Sequence, residues 1–257
     1  MTFDALANKT SPSKAFSFLT WVSIFLHVLT GVFILSVVFP WINQSKKDHR
    51  IQMWSQRLLR IFKLRLVVTG LENVAPVPAL FAANHISWLD IHAINACKPI
   101  RFVAKSEVRS WPIFGWMAKQ LGTVFIRRDN ARHAREVVEQ IADVLNTESI
   151  CIFPEGTSSN GEQVLPFRPN LFESALAAKC PIYPLSIRYV CQKTSLRSDS
   201  PAFIGDMGLL ESMSRVIHEP GLLVHIHFLQ PYRAENSRDS DRKQVAAYCQ
   251  ESIAQTL

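Results

Sequence analysis

A run of 31 residues without a single Asp, Glu, Lys or Arg extends from position 15 to position 45. As a helix, its apolar part is long enough to cross the roughly 30 Å hydrocarbon layer of a bilayer. A cleaved signal peptide has a shorter apolar stretch that ends in small residues, whereas this one continues into Phe39, Pro40 and Trp41. The sequence therefore predicts a retained membrane anchor. A two-helix hairpin that stays within one leaflet is the alternative, because Pro40 can break the helix.

The next segment, 46–66, is basic and has the periodicity of a helix. Its apolar residues recur at spacings of three and four, with the basic residues largely elsewhere around the helix: Ile51, Trp54, Leu58, Ile61 and Phe62 against Arg50, Arg57, Arg60 and Lys63. Such a helix is expected to lie on an anionic leaflet, where each Lys or Arg contributes about 1 kcal/mol of attraction. The alternative is a helix that packs into the core and has a solvated face.

The excess positive charge of the chain is confined to this end. Residues 1–65 contain nine Lys or Arg and two Asp or Glu, which gives +7, and residues 66–257 contain nineteen of each, which gives zero. A groove for nucleic acid would need basic residues on the body, so no nucleic acid is expected as a partner. The excess of Lys and Arg lies after the apolar run. This position predicts that the rest of the chain lies on the cytoplasmic face of the inner membrane. We therefore divide the chain into an anchor, 1–65, and a domain, 66–257.

The cysteines and histidines indicate no metal site. The five cysteines are odd in number, widely spaced and never in a C-x-x-C arrangement: Cys97, Cys151, Cys180, Cys191 and Cys249. His225 and His227 share a strand face, but no carboxylate or cysteine lies near them in sequence. We expect free thiols in a reducing compartment, no metal and no cofactor.

From residue 66 onward, short β-type runs alternate with helical runs. The predicted strands are 64–70, 78–84, 101–105, 122–128, 149–156, 182–189 and 222–229. The predicted helices are 88–97, 112–120, 130–146, 170–179, 208–218 and 239–256. This alternation is typical of an α/β domain with a mixed sheet flanked by helices, here preceded by a membrane-anchoring helical segment. In such domains chemistry gathers where strands lead into helices.

The first such junction carries His85 and Asp90 directly after the apolar run 80–83. With His85 in the turn and Asp90 in the first turn of the helix, the two side chains can meet. Asp90 would then orient one ring nitrogen and leave the other to accept a proton from a hydroxyl. The alternative is structural: Ser87-x-x-Asp90 also fits a capping box, in which Asp90 only satisfies backbone N–H groups.

Three further junctions carry polar residues or proline. A strand ends at Arg127 and Arg128, which point to opposite faces, so at most one is expected to reach a common pocket and hold a phosphate there. The usual fate of two such arginines is a surface ion pair. Another strand delivers Glu155 and a Gly-Thr turn, and the strand 182–189 contains Pro184.

In this order and spacing, the four pieces resemble the glycerolipid acyltransferase family, which includes the lysophosphatidic acid acyltransferases. The family's H-x-x-x-x-D pattern matches 85–90, its G-x-x-F-I-x-R block matches 122–128, its F-P-E-G-T block matches 153–157, and its proline-bearing strand matches 183–184. The resemblance covers roughly residues 65–230. It implies that His85 is the general base, that Asp90 is its partner and that Arg128 holds the acceptor's phosphate. It also implies that three residues complete the acceptor site: Glu155, Gly156 and Thr157.

The activity implied by the resemblance is acyl transfer at a membrane. The donor would be acyl-CoA or acyl-carrier-protein, and the acceptor would be the free sn-2 hydroxyl of lysophosphatidic acid, giving phosphatidic acid in phospholipid biosynthesis. The chain departs from the family pattern at Ser158, where Arg is common, and at 167–170, where a basic F-K-x-G segment is common. This variant is similar to a branch that includes lyso-ornithine lipid acyltransferases, so that acceptor is the alternative. A membrane-bound lipid hydrolase with Ser87 as nucleophile and a non-catalytic lipid-binding protein are the less favoured alternatives.

Overall fold

The computed structural model describes residues 13–127, 131–232 and 241–257. Its seven strands are β1 (Arg65–Thr69), β2 (Leu80–Ala83), β3 (Arg101–Lys105), β4 (Val124–Ile126), β5 (Ile150–Ile152), β6 (Ile182–Cys191) and β7 (Leu222–Phe228). They form one sheet in the order β1-β7-β6-β2-β5-β3-β4. The five strands from β6 to β4 in that order are parallel, while β7 pairs antiparallel to β6 and parallel to β1. The predicted mixed sheet and all seven predicted strands are confirmed.

Helices cover both faces of this sheet. They are α1 (Lys14–Phe33), α2 (Gln44–Ile61), α3 (Leu89–Cys97), α4 (Phe114–Gln120), α5 (Ala131–Leu145), α6 (Phe172–Ala177), α7 (Leu209–Ile217) and α8 (Arg242–Ala254). Side chains of α2, α3 and α7 form one apolar cluster with the sheet, and those of α5, α6 and α8 form a second cluster on the opposite face. The predicted helices of the α/β domain are therefore also confirmed.

The apolar run folds as α1, a π-helical turn (Ile34–Val38) and a 3-10 turn that contains Pro40 (Phe39–Trp41). The whole segment is long and apolar enough to cross a membrane. One side of it is nevertheless buried against the body, through Thr20, Ile24, His27 and Gly31. The other side exposes large apolar side chains: Phe18, Leu19, Val22, Phe25, Leu26, Leu29, Phe33, Val37 and Trp41. The segment therefore packs on the body along one side and keeps a long apolar face on the other.

A stack of aromatic rings joins α1 to α2 and α3. Trp54 of α2 stacks on His27 of α1 with 4.2 Å between ring centroids, and its indole Nε1 donates to the His27 carbonyl at 3.2 Å. Trp54 also contacts His92 of α3, with 5.4 Å between ring centroids. Gly31 allows this close approach, because a Cβ there would lie 2.9 Å from the Trp54 Nε1. The three helices therefore pack as one unit.

The amphipathic helix α2 begins at Asn43, whose side chain accepts from the Lys46 N–H. Its apolar face packs into the main core through Leu58, Leu59 and Phe62, each only 3% exposed. The expectation that this face lies on a leaflet is therefore corrected: it is part of the protein interior. An apolar stripe of this kind can face either a membrane leaflet or the protein core, so helical periodicity does not distinguish the two. Exposed positions on α2 carry the basic residues Lys46, Arg50, Arg57 and Arg60.

The division at residue 65 remains a prediction about membrane attachment, but the packing defines a different boundary. A chain without residues 1–43 loses one buried side chain, Ile24, and the partly buried Phe16 and Trp21 from the main core cluster. A chain without residues 1–65 also loses Leu58, Leu59, Phe62 and Leu64. At about 1.5–3 kcal/mol each, these additional losses approach the stability of a whole domain, about 5–15 kcal/mol. In detergent, we expect the chain without residues 1–43 to unfold cooperatively on heating. The chain without residues 1–65 should show no cooperative unfolding transition. Equal melting curves would contradict this boundary.

Candidate active site

The candidate site begins where the short strand β2 ends. Residues 79–83 are fully buried, and Asn84, which is 1% exposed, follows them. Its side-chain amide pairs with the backbone of Ile187 in β6, donating to the carbonyl at 2.9 Å and accepting from the N–H at 2.8 Å. This pair continues the β2–β6 ladder by one step after the backbone of β2 turns away. The turn that carries His85 is thereby fixed to the sheet.

Asp90 lies in the first turn of α3, beneath that turn, and its side chain is fully buried. Its Oδ2 accepts from the His85 Nδ1 at 2.8 Å and from the backbone N–H groups of Ile86 and Ser87 at 2.7 and 2.9 Å. Its Oδ1 accepts from the Tyr189 hydroxyl at 2.8 Å. Both contacts that the sequence suggested as alternatives for Asp90 are therefore present, because one carboxylate accepts from the backbone of the turn and from the histidine.

The ring of His85 is held in one plane. It stacks on Phe153, the residue that follows β5, with 4.0 Å between centroids and 19° between planes. Its Nδ1 donates to Asp90, which leaves Nε2 as the nitrogen that can exchange a proton with a substrate. The side chain is 22% exposed, so solvent and substrate can reach it. A basic nitrogen, oriented and accessible, is what proton abstraction from a hydroxyl needs.

Glu155 reaches the same turn from below. Its Oε1 accepts from the His85 N–H at 2.9 Å, and the Leu165 N–H also donates to its carboxylate. The residue is 4% exposed, and its Oε2 is buried without a hydrogen-bond partner. Burial, with a smaller contribution from the charge of Asp90, raises the pKa of Glu155 to about 7 against the two backbone hydrogen bonds. The carboxyl group therefore supports the His85 turn from inside the protein.

The loop after Glu155 closes over the His85 turn. Gly156 has φ +74°, a conformation that favours glycine, and Thr157 is exposed. The Ser159 N–H donates to the His85 carbonyl at 2.8 Å. The Ser158 hydroxyl donates to the carbonyl of Phe203, whose own N–H donates to the Ile86 carbonyl at 2.9 Å. Three segments distant in sequence are therefore bonded around the histidine.

The structure does not place the predicted phosphate ligand. Arg127 is exposed directly after β4, whereas Arg128 lies outside the described residues. The end of β4 is three strands from the end of β2 in the sheet order, roughly 14 Å at the usual strand spacing. The roles of Arg128, Gly156 and Thr157 in acceptor binding therefore remain predictions, and so does the expectation that no metal or cofactor is needed.

Sequence reasoning missed several residues of the site. Asn84 bonds the start of the His85 turn to β6, Phe153 stacks on His85, and Tyr189 donates to Asp90. A polar residue at the end of a buried run was a signal available for Asn84. Tyr189 gave only the weaker signal of strand alternation, since it shares a face with Leu185 and Ile187.

The site thus places an imidazole, oriented by a buried carboxylate, at the carboxyl end of a parallel strand, and such a pair can remove a proton from a hydroxyl. A family model described as Acyltransferase matches residues 65–188. Lyso-ornithine lipid O-acyltransferase from Pseudomonas aeruginosa is 35% identical over 205 residues, covering 79% of this chain and 76% of that protein. 1-acyl-sn-glycerol-3-phosphate acyltransferase from Neisseria meningitidis is 35% identical over 176 residues, covering 66% and 68%. The chain belongs to the glycerolipid acyltransferase family, as its motifs predicted.

The fold agrees with this assignment. The crystal structure of the 1-acyl-sn-glycerophosphate acyltransferase from Thermotoga maritima superposes with a TM-score of 0.69 at 23% identity, covering 94% of this chain and 93% of that one. The likeness extends over nearly the whole of both chains and therefore includes the N-terminal helices.

The position of Glu155 predicts a pH-dependent contribution to stability. Because its pKa is raised to about 7 in the folded protein, the folded state retains a proton that the unfolded state has released above its ordinary pKa near 4.5. Its contribution therefore falls as pH rises from about 4.5 to about 7. Glu155→Gln cannot titrate, so the melting temperature of wild type minus that of the variant should decrease between pH 5 and pH 8. A difference that is constant with pH would contradict the buried, raised-pKa position.

Proposed function

We propose that the protein transfers an acyl group from a thioester to the free hydroxyl of a lysolipid, with the sn-2 hydroxyl of lysophosphatidic acid as first acceptor. The observation that carries this proposal is the 2.8 Å contact between the His85 Nδ1 and the buried Asp90 carboxylate, which leaves Nε2 accessible. Membership of the acyltransferase family supports the reaction class. The donor is proposed to be acyl-CoA or acyl-carrier-protein.

The reaction follows from the chemistry of the pair. His85 Nε2 removes the proton of the acceptor hydroxyl as its oxygen attacks the thioester carbonyl, and Asp90 stabilises the imidazolium that forms. The tetrahedral intermediate collapses, the C–S bond breaks, and the imidazolium returns its proton to the departing thiolate. The products are an ester and a free thiol. Thioesters are reactive enough for this direct transfer, so no acyl-enzyme is required.

The hydrolase alternative needs a placed nucleophile. Ser87 is fully buried, and its Oγ accepts from the Leu89 N–H at 3.2 Å. A serine that is enclosed in the turn and already engaged with the helix backbone is poorly placed to attack a lipid ester. This favours the direct mechanism.

Membrane association is part of the proposal. The exposed apolar side of α1 would contact acyl chains, and the exposed basic positions of α2 would contact anionic head groups. Trp111, Ile113 and Trp116 add exposed apolar surface, while Met117, next to Trp116, is buried against Leu35 and Phe39 at the end of the apolar segment. The domain is proposed to face the cytoplasm, where acyl thioesters are available.

A second acceptor, lyso-ornithine lipid, is favoured by one observation. Where Arg is common in the family, Ser158 donates to the Phe203 carbonyl and contributes no positive charge. Arg197 contacts the same loop at the Asn160 carbonyl, but it is paired with Asp199. An ornithine head group carries a carboxylate and an ammonium, so it needs less positive charge from the protein than a phosphate monoester does. The Pseudomonas aeruginosa relative carries the name of this activity.

The deciding experiment is acylation by the purified full chain with acyl-CoA, with lysophosphatidic acid and lyso-ornithine lipid supplied separately. We expect acyl-CoA-dependent ester formation on one acceptor, with a higher kcat/KM for that acceptor than for the other. A parallel set of reactions uses acyl-carrier-protein as the donor in place of acyl-CoA. Release of free fatty acid without ester formation would instead indicate a hydrolase, and no reaction with either donor and either acceptor would contradict the proposal.

Substitutions at the catalytic pair test the mechanism. His85→Ala should lower kcat by about 10² to 10⁴-fold without unfolding the protein, because the residue lies in an accessible turn. Asp90→Asn keeps a side chain of the same shape with an oxygen for the backbone N–H groups, but it loses the charge that stabilises the imidazolium. We expect kcat to fall by about 10²-fold or more with much of the melting temperature retained. A catalytically silent Asp90→Asn would reduce Asp90 to a helix cap.

The adjacent arginines supply a matched pair for acceptor recognition. If Arg128 holds a phosphate, Arg128→Ala should raise the acceptor's KM or lower kcat/KM by about 10- to 100-fold, because a charge-assisted hydrogen bond is worth about 1.5–3 kcal/mol. Arg127→Ala, which removes the same charge from the neighbouring position, should have a much smaller effect, and neither should change the KM of the donor. Equal losses would show that the two side chains do not face opposite ways.

A further inference from the structure

Tyr189 reaches Asp90 because β6 is longer than β2. The last paired residue of β2, Ala83, faces Leu185, and β6 continues to Cys191 with β7 as its partner. Residues two apart on a strand share a face, so Ile187 and Tyr189 follow Leu185 on the side that α3 covers. The overhang carries the Tyr189 ring past the end of β2 to Asp90.

The contact is a buried hydrogen bond between two side chains 99 positions apart. The Tyr189 hydroxyl donates to the Asp90 Oδ1 at 2.8 Å, with Tyr189 1% exposed and Asp90 fully buried. Burial, together with the adjacent Asp90 charge, raises the pKa of Tyr189 well above its ordinary value, so the hydroxyl remains a donor at any working pH. Burying a phenol next to a carboxylate is costly unless the two are bonded, and here they are.

The two oxygens of Asp90 have different partners. Oδ2 accepts from the histidine and from two backbone N–H groups, while Oδ1 accepts from Tyr189. The Tyr189 bond therefore defines the plane of the carboxylate and prevents it from rotating away from the His85 Nδ1. It also withdraws charge from the carboxylate, which moderates how strongly Asp90 stabilises a protonated imidazole.

We propose that Tyr189 is a positioning residue of the acyl-transfer reaction, acting through Asp90 on the orientation and basicity of His85. It forms with them a chain from the sheet to the substrate: Tyr189 hydroxyl, Asp90 carboxylate, His85 imidazole. This inference rests on the proposed role of the His85–Asp90 pair. Tyr189 lies one position beyond the stretch that the family model matches.

The variant Tyr189→Phe keeps the ring and removes the hydrogen bond. We expect kcat to fall about 10-fold or more, with little change in the KM of donor or acceptor, because the loss affects proton transfer and not binding. We also expect the acid limb of the pH–rate profile to move to higher pH, since an Asp90 carboxylate without this donor holds an imidazolium more strongly. The other ionisable groups around Asp90 are Glu155 and Cys151, and both remain in the variant.

Tyr183→Phe is the matched control. Tyr183 lies on the same strand and the same face, is equally buried, and also loses a hydrogen bond, the one its hydroxyl accepts from the Ala75 N–H at 3.0 Å. It has no part in the catalytic turn. The control should lose comparable stability while keeping kcat and the pH profile of the wild type. If both variants lower kcat equally and leave the pH profile unchanged, the role of Tyr189 is only structural and the inference fails.

A double-mutant cycle separates action through Asp90 from any other effect. If Tyr189 acts on the charged carboxylate, Tyr189→Phe should cost much less in an Asp90→Asn background than in the wild type. An undiminished cost in that background would overturn the inference. Failure of the proposed function looks different, because the wild type itself would then form no ester from a thioester and a lysolipid. Failure of the His85 mechanism would leave His85→Ala active. An inactive His85→Ala beside a fully active Tyr189→Phe would reject the role of Tyr189 alone.

Discussion

The site is organised by one buried carboxylate. Asp90 has no access to solvent, so its charge has to be compensated by donors within the protein. Those donors come from the turn after β2 and from β6. Because all of them bond to Asp90, the end of β2, the first turn of α3 and the overhang of β6 lie close together. The orientation of His85 is a consequence of this arrangement. A single side chain thus acts as a helix cap and as the partner of the proposed base.

Around this carboxylate, the loops of the site are closed by backbone hydrogen bonds more than by charge. The His85 N–H is held by Glu155, its carbonyl by Ser159, and the next carbonyl by Phe203. Glu155 is buried and supports the turn, and its role in the acceptor site, which the resemblance to the family implies, remains a prediction. Ser158, at a position where the family often has Arg, contributes to the same closure. The loop around His85 therefore has no positive charge at position 158, where the family pattern often has one.

Packing joins this site to the N-terminal helices, which are proposed to contact the membrane. Trp54 joins α1 to α3, the helix that carries Asp90 in its first turn, and the apolar face of α2 belongs to the core of the domain. The apolar surface of α1 that remains exposed is therefore held at a fixed position relative to His85. An enzyme that takes its acceptor from a bilayer gains from such a connection, because the bound lipid and the base are then held at a fixed distance and orientation.

The sequence alone determined the elements and the motif. Strand and helix periodicities identified all seven strands and the helices of the domain, because burial of one face imposes a repeat that can be read directly. His85 and Asp90 were found because they are five positions apart, and local chain geometry suffices to bring them together. Tertiary structure alone decided which apolar stripe faces protein and which remains exposed, since α1 and α2 both have stripes compatible with either. It also decided the partnership of Tyr189 with Asp90, because that contact depends on the pairing of β6 with β2 and on their unequal lengths, and no spacing along the chain encodes either.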